Sequence, residues 1–510
     1  MPITVSDAMA AAVQLVVPEV ALVGTACVLF TLAAFSPQRA TTFVIALLGI
    51  AAAMALAVWF GPKEASIVGA DRAVLFHSTI DPNGPALFVR WIALIAVAAF
   101  AFVVYTESGE RTSGEYYGCL LVIAAGVSLI GRANDLMTLF LALEMISIPT
   151  YVLLYLPVQS KPGLEAAVKY FLLSILSSAI LLFGFGYLFG ATGTTNLTAM
   201  ADILSHAKGE SDSPLALIGI VLAIAGIGFR IAAVPFHFYA PDVYQAGPTG
   251  VVAVLAVLPK VAGFVALARI MGQAGATYAG QSFDANSLVP YALGWLAVLS
   301  MTFGNILALL QDNLKRTMAY SGIAHAGYLL IGATASLSGK GGLEAVYFYL
   351  VAYALMTAGF FAVLRAVHSP ERPVESVDDL AGLSTSRPLV AACLAVSLVS
   401  MIGLPLTAGF PGKLQLFLSV FLAPTDTPMG TGFRTLAFIG AANAAMGAVY
   451  YLRILGAIYL RTPLVPFAAN RGTAAALAAI ACAVGTLAIG IYPKPLSEAA
   501  TKAAPTVVAK

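Results

Sequence analysis

The chain has 510 residues, 60% of them hydrophobic and 10% charged, with a formal net charge of +2. Soluble domains carry about a quarter charged residues, so a water-soluble fold is excluded, and near-neutral charge removes the electrostatic basis for nucleic-acid binding. The apolar residues gather into runs long enough to cross a hydrocarbon core of roughly 30 Å, without the short alternating segments of a β-barrel; the expected fold is an all-α polytopic membrane protein.

In chain order, the opening "MPITVSDAMAAAVQ" holds no Lys or Arg. It lacks the basic region of a signal peptide and is expected to be retained. About fourteen spans follow, near 15–36, 41–60, 86–106, 115–131, 134–157, 165–191, 213–238, 249–273, 288–311, 317–336, 342–367, 389–423, 432–459 and 472–492. "GFGYLFG" places Gly186 and Gly190 as a small-xxx-small pair, which predicts close helix packing there. The longest linkers are 61–85, 192–212 and 368–388, and the second has room for a short surface helix. Asn196-Leu197-Thr198 matches a glycosylation sequon, a pattern that arises by chance.

Two spans carry breaks. The seventh ends in "FRIAAVPFHFYAPDVYQAGPTG", where Pro235 is expected to break the helix and "APDVYQAGP" to form the turn into the eighth. The run 389–423 is too long for one straight span, and Pro405, Gly409 and Pro411 in "GLPLTAGFPGK" make it a broken helix. Cys27, Cys119, Cys393 and Cys482 each lie in an apolar run without a CxxC or Cys/His cluster, and read as apolar filler. Iron–sulfur, haem and zinc sites are not indicated.

With fourteen spans both termini share one side. The other side receives Arg39, Arg111, Lys161, Lys315, Arg316, Arg365, Arg372, Arg387, Arg461 and Arg471, mostly in short loops, which count most in setting orientation. The termini are therefore expected outside.

Ionisable groups inside spans are costly and are functional candidates by default. Glu144 lies mid-span in "NDLMTLFLALEMISIPTYVLLYL", roughly 15 Å from either end at 1.5 Å per residue. Arg230 precedes Pro235, Lys260 is central in "GVVAVLAVLPKVAGFVALARI", Lys413 closes the broken stretch, and His325 lies in "SGIAHAGYLLIG". Glu144 is expected to pair with Arg230 or Lys260, and the set could relay protons through water. Against this stand plainer readings: an ion pair that only fixes register, a cap-like role for Lys413, and histidines, His237 and His325, that merely satisfy a carbonyl. Glu19, Lys169, Arg90 and Arg453 lie near span ends, where snorkelling accounts for them.

Spans four to eight and nine to thirteen form two five-helix units. The seventh and twelfth hold the same place in each, and both are interrupted and carry a cation, Arg230 and Lys413. Five is odd, so the units are inverted, and interrupted helices at matching positions point to an ion site. The division is 1–114 for three N-terminal helices, 115–273 and 288–460 for the two repeats, and 461–510 for a last helix and tail.

The stretches "PFHFYAPDVYQAGPTG", "LFLALEMISIPTYVLL", "AAVKYFLLSILSSAILLFG", "GNILALLQDNLKRTMAYSGIAHAGYLLIG" and "LPLTAGFPGKLQLF" together resemble the subunit N family of the proton-pumping NADH:quinone oxidoreductase, respiratory complex I. The resemblance covers roughly 120–460. "APDVYQAGP" looks like subunit N rather than the sister subunits L and M, and so does a lysine in the twelfth span, where M has a glutamate. The family implies an antiporter-like fold in the membrane arm of a multisubunit complex. By motif, Glu144 matches its fifth-span acid, Lys260 its eighth-span lysine, Lys413 its twelfth-span lysine, and His325 a histidine linking two half-channels. Arg230 departs from the family's usual lysine, which puts a relay role at that position in doubt because arginine stays protonated.

The resemblance also implies that NADH, FMN, iron–sulfur clusters and quinone belong to other subunits, that this chain binds no cofactor or metal itself, and that its partners are membrane subunits such as M and K in a bacterial inner membrane. The expected function is proton translocation driven by quinone reduction elsewhere in the complex, through protonation changes of Glu144, Lys260 and Lys413. The alternatives are an Mrp-type cation/proton antiporter subunit and a structural subunit that has lost pumping.

Overall fold

A computed structural model describes residues 13–35, 38–67, 79–81, 85–105, 107–156, 160–206, 214–278, 288–337, 341–368, 374–423, 430–462 and 472–504. The opening stretch, expected to be retained, falls almost wholly outside the described residues, as do Arg372 and Arg471. The helices are α1 Val17–Ala33, α2 Arg39–Ile67, α3 Ala86–Val104, α4 Ser113–Ile130, α5 Leu136–Tyr155, α6 Lys161–Thr192, α7 Leu197–His206, α8 Pro214–Arg230, α9 Ala240–Ala246 and α10 Thr249–Tyr278. There follow α11 Leu288–Leu309, α12 Leu314–Ser336, α13 Leu343–Val367, α14 Leu383–Ser386, α15 Pro388–Ile402, α16 Gly409–Phe421, α17 Gly430–Leu460, α18 Thr473–Ile491 and α19 Lys494–Ala503.

Among the described residues ten helices are long and apolar enough to cross a membrane. The shorter apolar α1, α8 and α15, together with α12, bring the chain passages to the expected fourteen. The face on which α1 starts and α19 lies is here the proximal face, the opposite one the distal face. α7 is the short helix expected in the linker 192–212, whereas α19 was read only as tail.

In hydrocarbon each backbone polar group needs a partner within the protein. Span starts are capped accordingly: the Asp135 carboxylate accepts from the Met137 amide (2.8 Å), and the Asn313 side-chain oxygen accepts from the Arg316 amide (3.1 Å). The same logic governs the two breaks. α8 ends at Arg230, and the chain turns through 231–239 before α9. The Val234 amide donates to Ser300 Oγ (3.0 Å), and the Tyr239 hydroxyl donates to the Phe229 carbonyl (3.0 Å). "APDVYQAGP" is therefore not simply a turn: most of it is α9, the second half of the seventh span. Pro241, in the first turn of α9, lacks an N–H that would have no partner there, which favours helix initiation. In the twelfth span α15 ends at Ile402 with Gly403 at φ +90°, a left-handed stop. Beyond it the Gly409 amide donates to Ser400 Oγ (3.0 Å) and the Ala408 amide to the Thr486 carbonyl (3.0 Å).

The inverted relation of the two five-helix units is visible in hydrogen bonds. At the start of α5, on the proximal face, the Leu136 amide donates to Thr195 O (2.9 Å) and the Leu197 amide to Asn134 O (2.8 Å). At the start of α12, on the distal face, the Leu314 amide donates to Glu375 O (2.6 Å) and the Val377 amide to Asp312 O (3.2 Å). The same bridge thus ties the start of the second helix of each unit to the linker before its broken helix, on opposite faces.

Packing corrects the glycine reading. A Cβ added at Gly186 or Gly190 meets nothing within 4 Å, so neither is a contact point. The close approach is at Gly184, where an added Cβ would lie 2.8 Å from Gly219 O and from Ala223 N on α8. The motif spacing within one helix carried no information about which face meets α8. Gly184→Val should therefore strain the α6–α8 contact by about 1–3 kcal/mol and lower the amount of assembled protein on native gels, while Gly190→Ala leaves it unchanged. Equal losses for the two would contradict the packing described.

Candidate functional site

Glu144 lies midway along α5, and its partner is Arg230, the last residue of α8. Arg230 Nη2 is 2.7 Å from Glu144 Oε1, with the side chains 5% and 21% exposed respectively. Ser178 on α6 donates to the same carboxylate oxygen (2.6 Å) and accepts from Arg230 Nη2 (3.0 Å). Arg230 Nη1 donates to Leu143 O (3.2 Å) and to Ser147 Oγ. Glu144 is thus locked to a guanidinium rather than to Lys260, the other expected partner.

Lys260 is buried on α10, the last helix of the first unit, which packs against α12 and α13 of the second. Its ammonium donates to Gly322 O (2.6 Å) on α12 and to the Tyr353 hydroxyl (3.1 Å) on α13. It sits 4.8 Å from the centre of the Tyr353 ring, a cation–π arrangement. A Cβ at Gly322 would fall 2.9 Å from Lys260 Nζ, so this approach needs glycine. Gly263, three residues along α10 from Lys260, faces Ile231 and the Arg230 Cβ; one helical turn separates the two cations' backbones along α10.

Lys413 belongs to α16, after the break. Its ammonium donates to Met401 O (2.7 Å) and Ile402 O (3.1 Å), the last carbonyls of α15, so the cap-like geometry is present. The same nitrogen lies 4.9 Å from the centre of the Tyr328 ring. His325, on α12, accepts or donates through Nδ1 to the Tyr349 hydroxyl (2.7 Å) and through Nε2 to the Tyr451 hydroxyl (2.9 Å). Its ring is 5.4 Å from that of Tyr353 and 5.7 Å from that of Tyr328. His325 is therefore flanked by two tyrosine rings, each carrying one of the buried lysines. Among the described residues neither lysine forms an ion pair.

The tyrosines were missed in the sequence, although a signal existed. Tyr349 and Tyr353 stand i, i+4 in "EAVYFYLVAYALM" and so share a helix face, and buried tyrosyl hydroxyls need partners. Ser147 and Ser178 were likewise unread. His237, by contrast, lies half-buried in the break beside Phe238 and is not joined to this row.

Two span-end readings are corrected. Glu19 and Arg90 do not snorkel: they are 6% and 1% exposed, and Arg90 Nη2 pairs with Glu19 Oε2 at 2.9 Å. Arg132, wholly buried, approaches the same carboxylate at 3.9 Å. α1, α3 and the end of α4 converge there, so each charge finds a partner that the linear sequence did not reveal. Lys169 and Arg453 do lie at the surface, paired with Glu165 and Asp312.

On the distal face a polar vestibule of about 830 Å³ opens between α6, α9, α12 and α13, with Glu107, Asp242, Lys315, Arg365 and His368 in its wall. Glu107 accepts from the Gly250 amide (2.7 Å) at the start of α10. Burial pushes its carboxyl above the usual range, an effect opposed by the Arg365 guanidinium. Among the described residues no group of three or more His, Cys, Asp or Glu side chains could hold a metal ion.

Two inverted units with one broken helix each, and a buried row of one acid and several cations, define an antiporter-like membrane subunit. Residues 133–440 match the family described as NADH:quinone oxidoreductase/Mrp antiporter, TM. The chain is 35% identical over 465 residues to the NADH-quinone oxidoreductase subunit N of Bdellovibrio bacteriovorus, covering 90% of each chain. It is 36% identical over 498 residues to that of Trichlorobacter lovleyi, covering 96% of each. A chain of respiratory complex I from Thermus thermophilus superposes with TM-score 0.75 at 30% identity, over 94% of this chain and 98% of that one. A chain of the Mrp complex from Dietzia shares the fold, with TM-score 0.78 at 20% identity, over 96% of each. The chain belongs to the NADH:quinone oxidoreductase/Mrp antiporter transmembrane family, in its subunit N branch.

Two substitutions test the geometry. Gly322→Ala should displace the Lys260 ammonium and reduce proton transport severalfold while assembly on native gels stays intact; unchanged transport would sink the close-approach argument. Arg90→Ala leaves the Glu19 carboxylate without its main partner, a loss of about 3–5 kcal/mol, and should lower the amount of assembled chain in membranes. Normal abundance would return Arg90 to the snorkelling reading.

Proposed function

We propose that the chain is a proton-translocating membrane-arm subunit of NADH:quinone oxidoreductase, with Glu144, Arg230, Lys260, His325 and Lys413 lining the proton pathway. The observation that carries this reading is His325 between the rings of Tyr328 and Tyr353, each holding a buried lysine that forms no ion pair among the described residues. A lysine held by a carbonyl and a ring has only weak compensation for leaving water, so its neutral form is accessible. Tyrosyl hydroxyls both donate and accept, and with water they can carry a proton from Lys260 past His325 to Lys413. The distal vestibule is the uptake mouth in this reading.

Arg230 has another task. A guanidinium does not release its proton at working pH. It pairs with the Glu144 carboxylate as a fixed positive charge, which leaves Lys260 as the switching cation of the first unit. The units are 115–273 and 288–460. NADH oxidation, FMN, iron–sulfur clusters and quinone lie on other subunits, and the chain itself supplies no redox chemistry. Glu144 keeps 21% of its side chain exposed at mid-span, a cost that a neighbouring membrane subunit, of the M or K type, would relieve. The membrane is the bacterial inner membrane, with the proximal face outside, where protons are released.

The test is proton transport per NADH oxidised in membrane vesicles, with assembly checked on native gels. Arg230→Lys should pump like the parent, while Lys260→Arg should lose most transport because its replacement cannot switch. Parent-like pumping by Lys260→Arg together with failure of Arg230→Lys would overturn this division of labour. Orientation is checked separately with single cysteines at Arg316 and Arg387 and an impermeant thiol reagent on intact cells. Protection is expected, and labelling from outside would reverse the assignment of the faces.

A further inference from the structure

The side of the molecule formed by α3, α13, α18 and α19 carries an apolar groove of about 530 Å³. Phe88, Trp91 and Ile95 on α3 and Leu355 on α13 form its walls, and α19 closes the proximal end with Leu496 and Lys502. The groove runs from Phe88 to Ala99 along α3, about 16 Å at 1.5 Å per residue. That is about half of a hydrocarbon core of ~30 Å, the depth of one leaflet. Apart from Lys502 every residue lining the groove is apolar, the surroundings a hydrocarbon chain requires.

The charge sits where a headgroup would. On α19 Leu496, Ala499 and Ala503 line the groove at i, i+3 and i+7, the spacing of an amphipathic helix lying in an interface. Lys494 and Glu498 lie 3.9 Å apart on the same helix. Lys502 is the one charged side chain in the groove wall, is exposed, and forms no ion pair among the described residues. An ammonium at the mouth of a leaflet-deep apolar slot matches a molecule with an anionic head and a long hydrocarbon tail.

We infer that this groove is a binding site for an anionic phospholipid of the proximal leaflet, with one acyl chain along α3 and the phosphate on Lys502. The site lies on the face of α13 opposite Tyr349 and Tyr353, and its occupancy is read without reference to pumping.

The experiment uses membranes containing the assembled complex and phosphatidylglycerol bearing a diazirine on one acyl chain. After photolysis, labelled peptides are mapped by mass spectrometry. Labelling is expected on residues 87–99 and 351–358, competed several times better by unlabelled phosphatidylglycerol than by phosphatidylcholine. Lys502→Glu should reduce it about fivefold or more, given the contribution of one cation near an anionic headgroup, and Lys502→Arg should retain it. Ala96→Trp, which fills the groove, should block labelling whichever headgroup the probe carries. Equal competition by the two lipids, or labelling confined to other faces of the chain, would leave only bulk lipid there and overturn the proposal. The competition in the parent decides this whether or not a variant assembles.

Discussion

Lipid offers no hydrogen bonds, and the two helix breaks at mid-membrane are the places where that constraint is hardest to meet. Every broken helix end leaves amides and carbonyls without intrahelical partners. In the seventh span a serine, a tyrosine and the turn's own backbone supply them. In the twelfth, two carbonyls at the end of α15 are met by the Lys413 ammonium. The fold therefore draws cationic and hydroxyl side chains into the hydrocarbon core for backbone reasons, before any transport task is considered. A lysine that caps carbonyls in this way holds them less strongly once it gives up its proton, because a neutral amine keeps two N–H donors but loses the charge that strengthens them. Structural and transport roles meet on one nitrogen.

The buried charges divide by what compensates them. Arg230 and Glu144, like Arg90 and Glu19, are opposite charges in direct contact, with serines completing the coordination. Such pairs are costly to break and serve as fixed points. Lys260 and Lys413 face carbonyl oxygens and aromatic rings instead. Their compensation is dipolar, and both converge on the tyrosines around His325. Arg230 thus stands on the side of the fixed charges, consistent with the chemistry of a guanidinium.

Much of this was legible in the sequence. The fourteen passages follow from apolar run length, and their boundaries fall within a few residues of the helices, apart from the second, whose helix continues to Ile67, and the seventh, which ends in α9 at Ala246. Both breaks were marked by proline and glycine, and the five candidates stand out because an ionisable residue inside an apolar run is conspicuous; four of them are buried and Glu144 is partly exposed. What escaped depends on juxtaposition across the chain. Glu19 and Arg90 are 71 residues apart, and nothing local shows that their helices meet. Tyrosines in an oily span look like filler until a histidine is seen between them. Gly184 matters because of the helix opposite it, not because of its neighbours in sequence. α9 was hidden inside a proline-rich turn motif whose proline suits a helix start.

The account claims that Lys413 moves a proton as well as capping a helix end, and one substitution separates these roles. Arginine at that position keeps a positive charge and the donors that the α15 carbonyls need, but does not release a proton. Proton transport per NADH oxidised should be measured in vesicles from the assembled Lys413→Arg complex. The account predicts normal assembly with transport reduced severalfold. Transport equal to the parent's would show that the cap is all that Lys413 supplies.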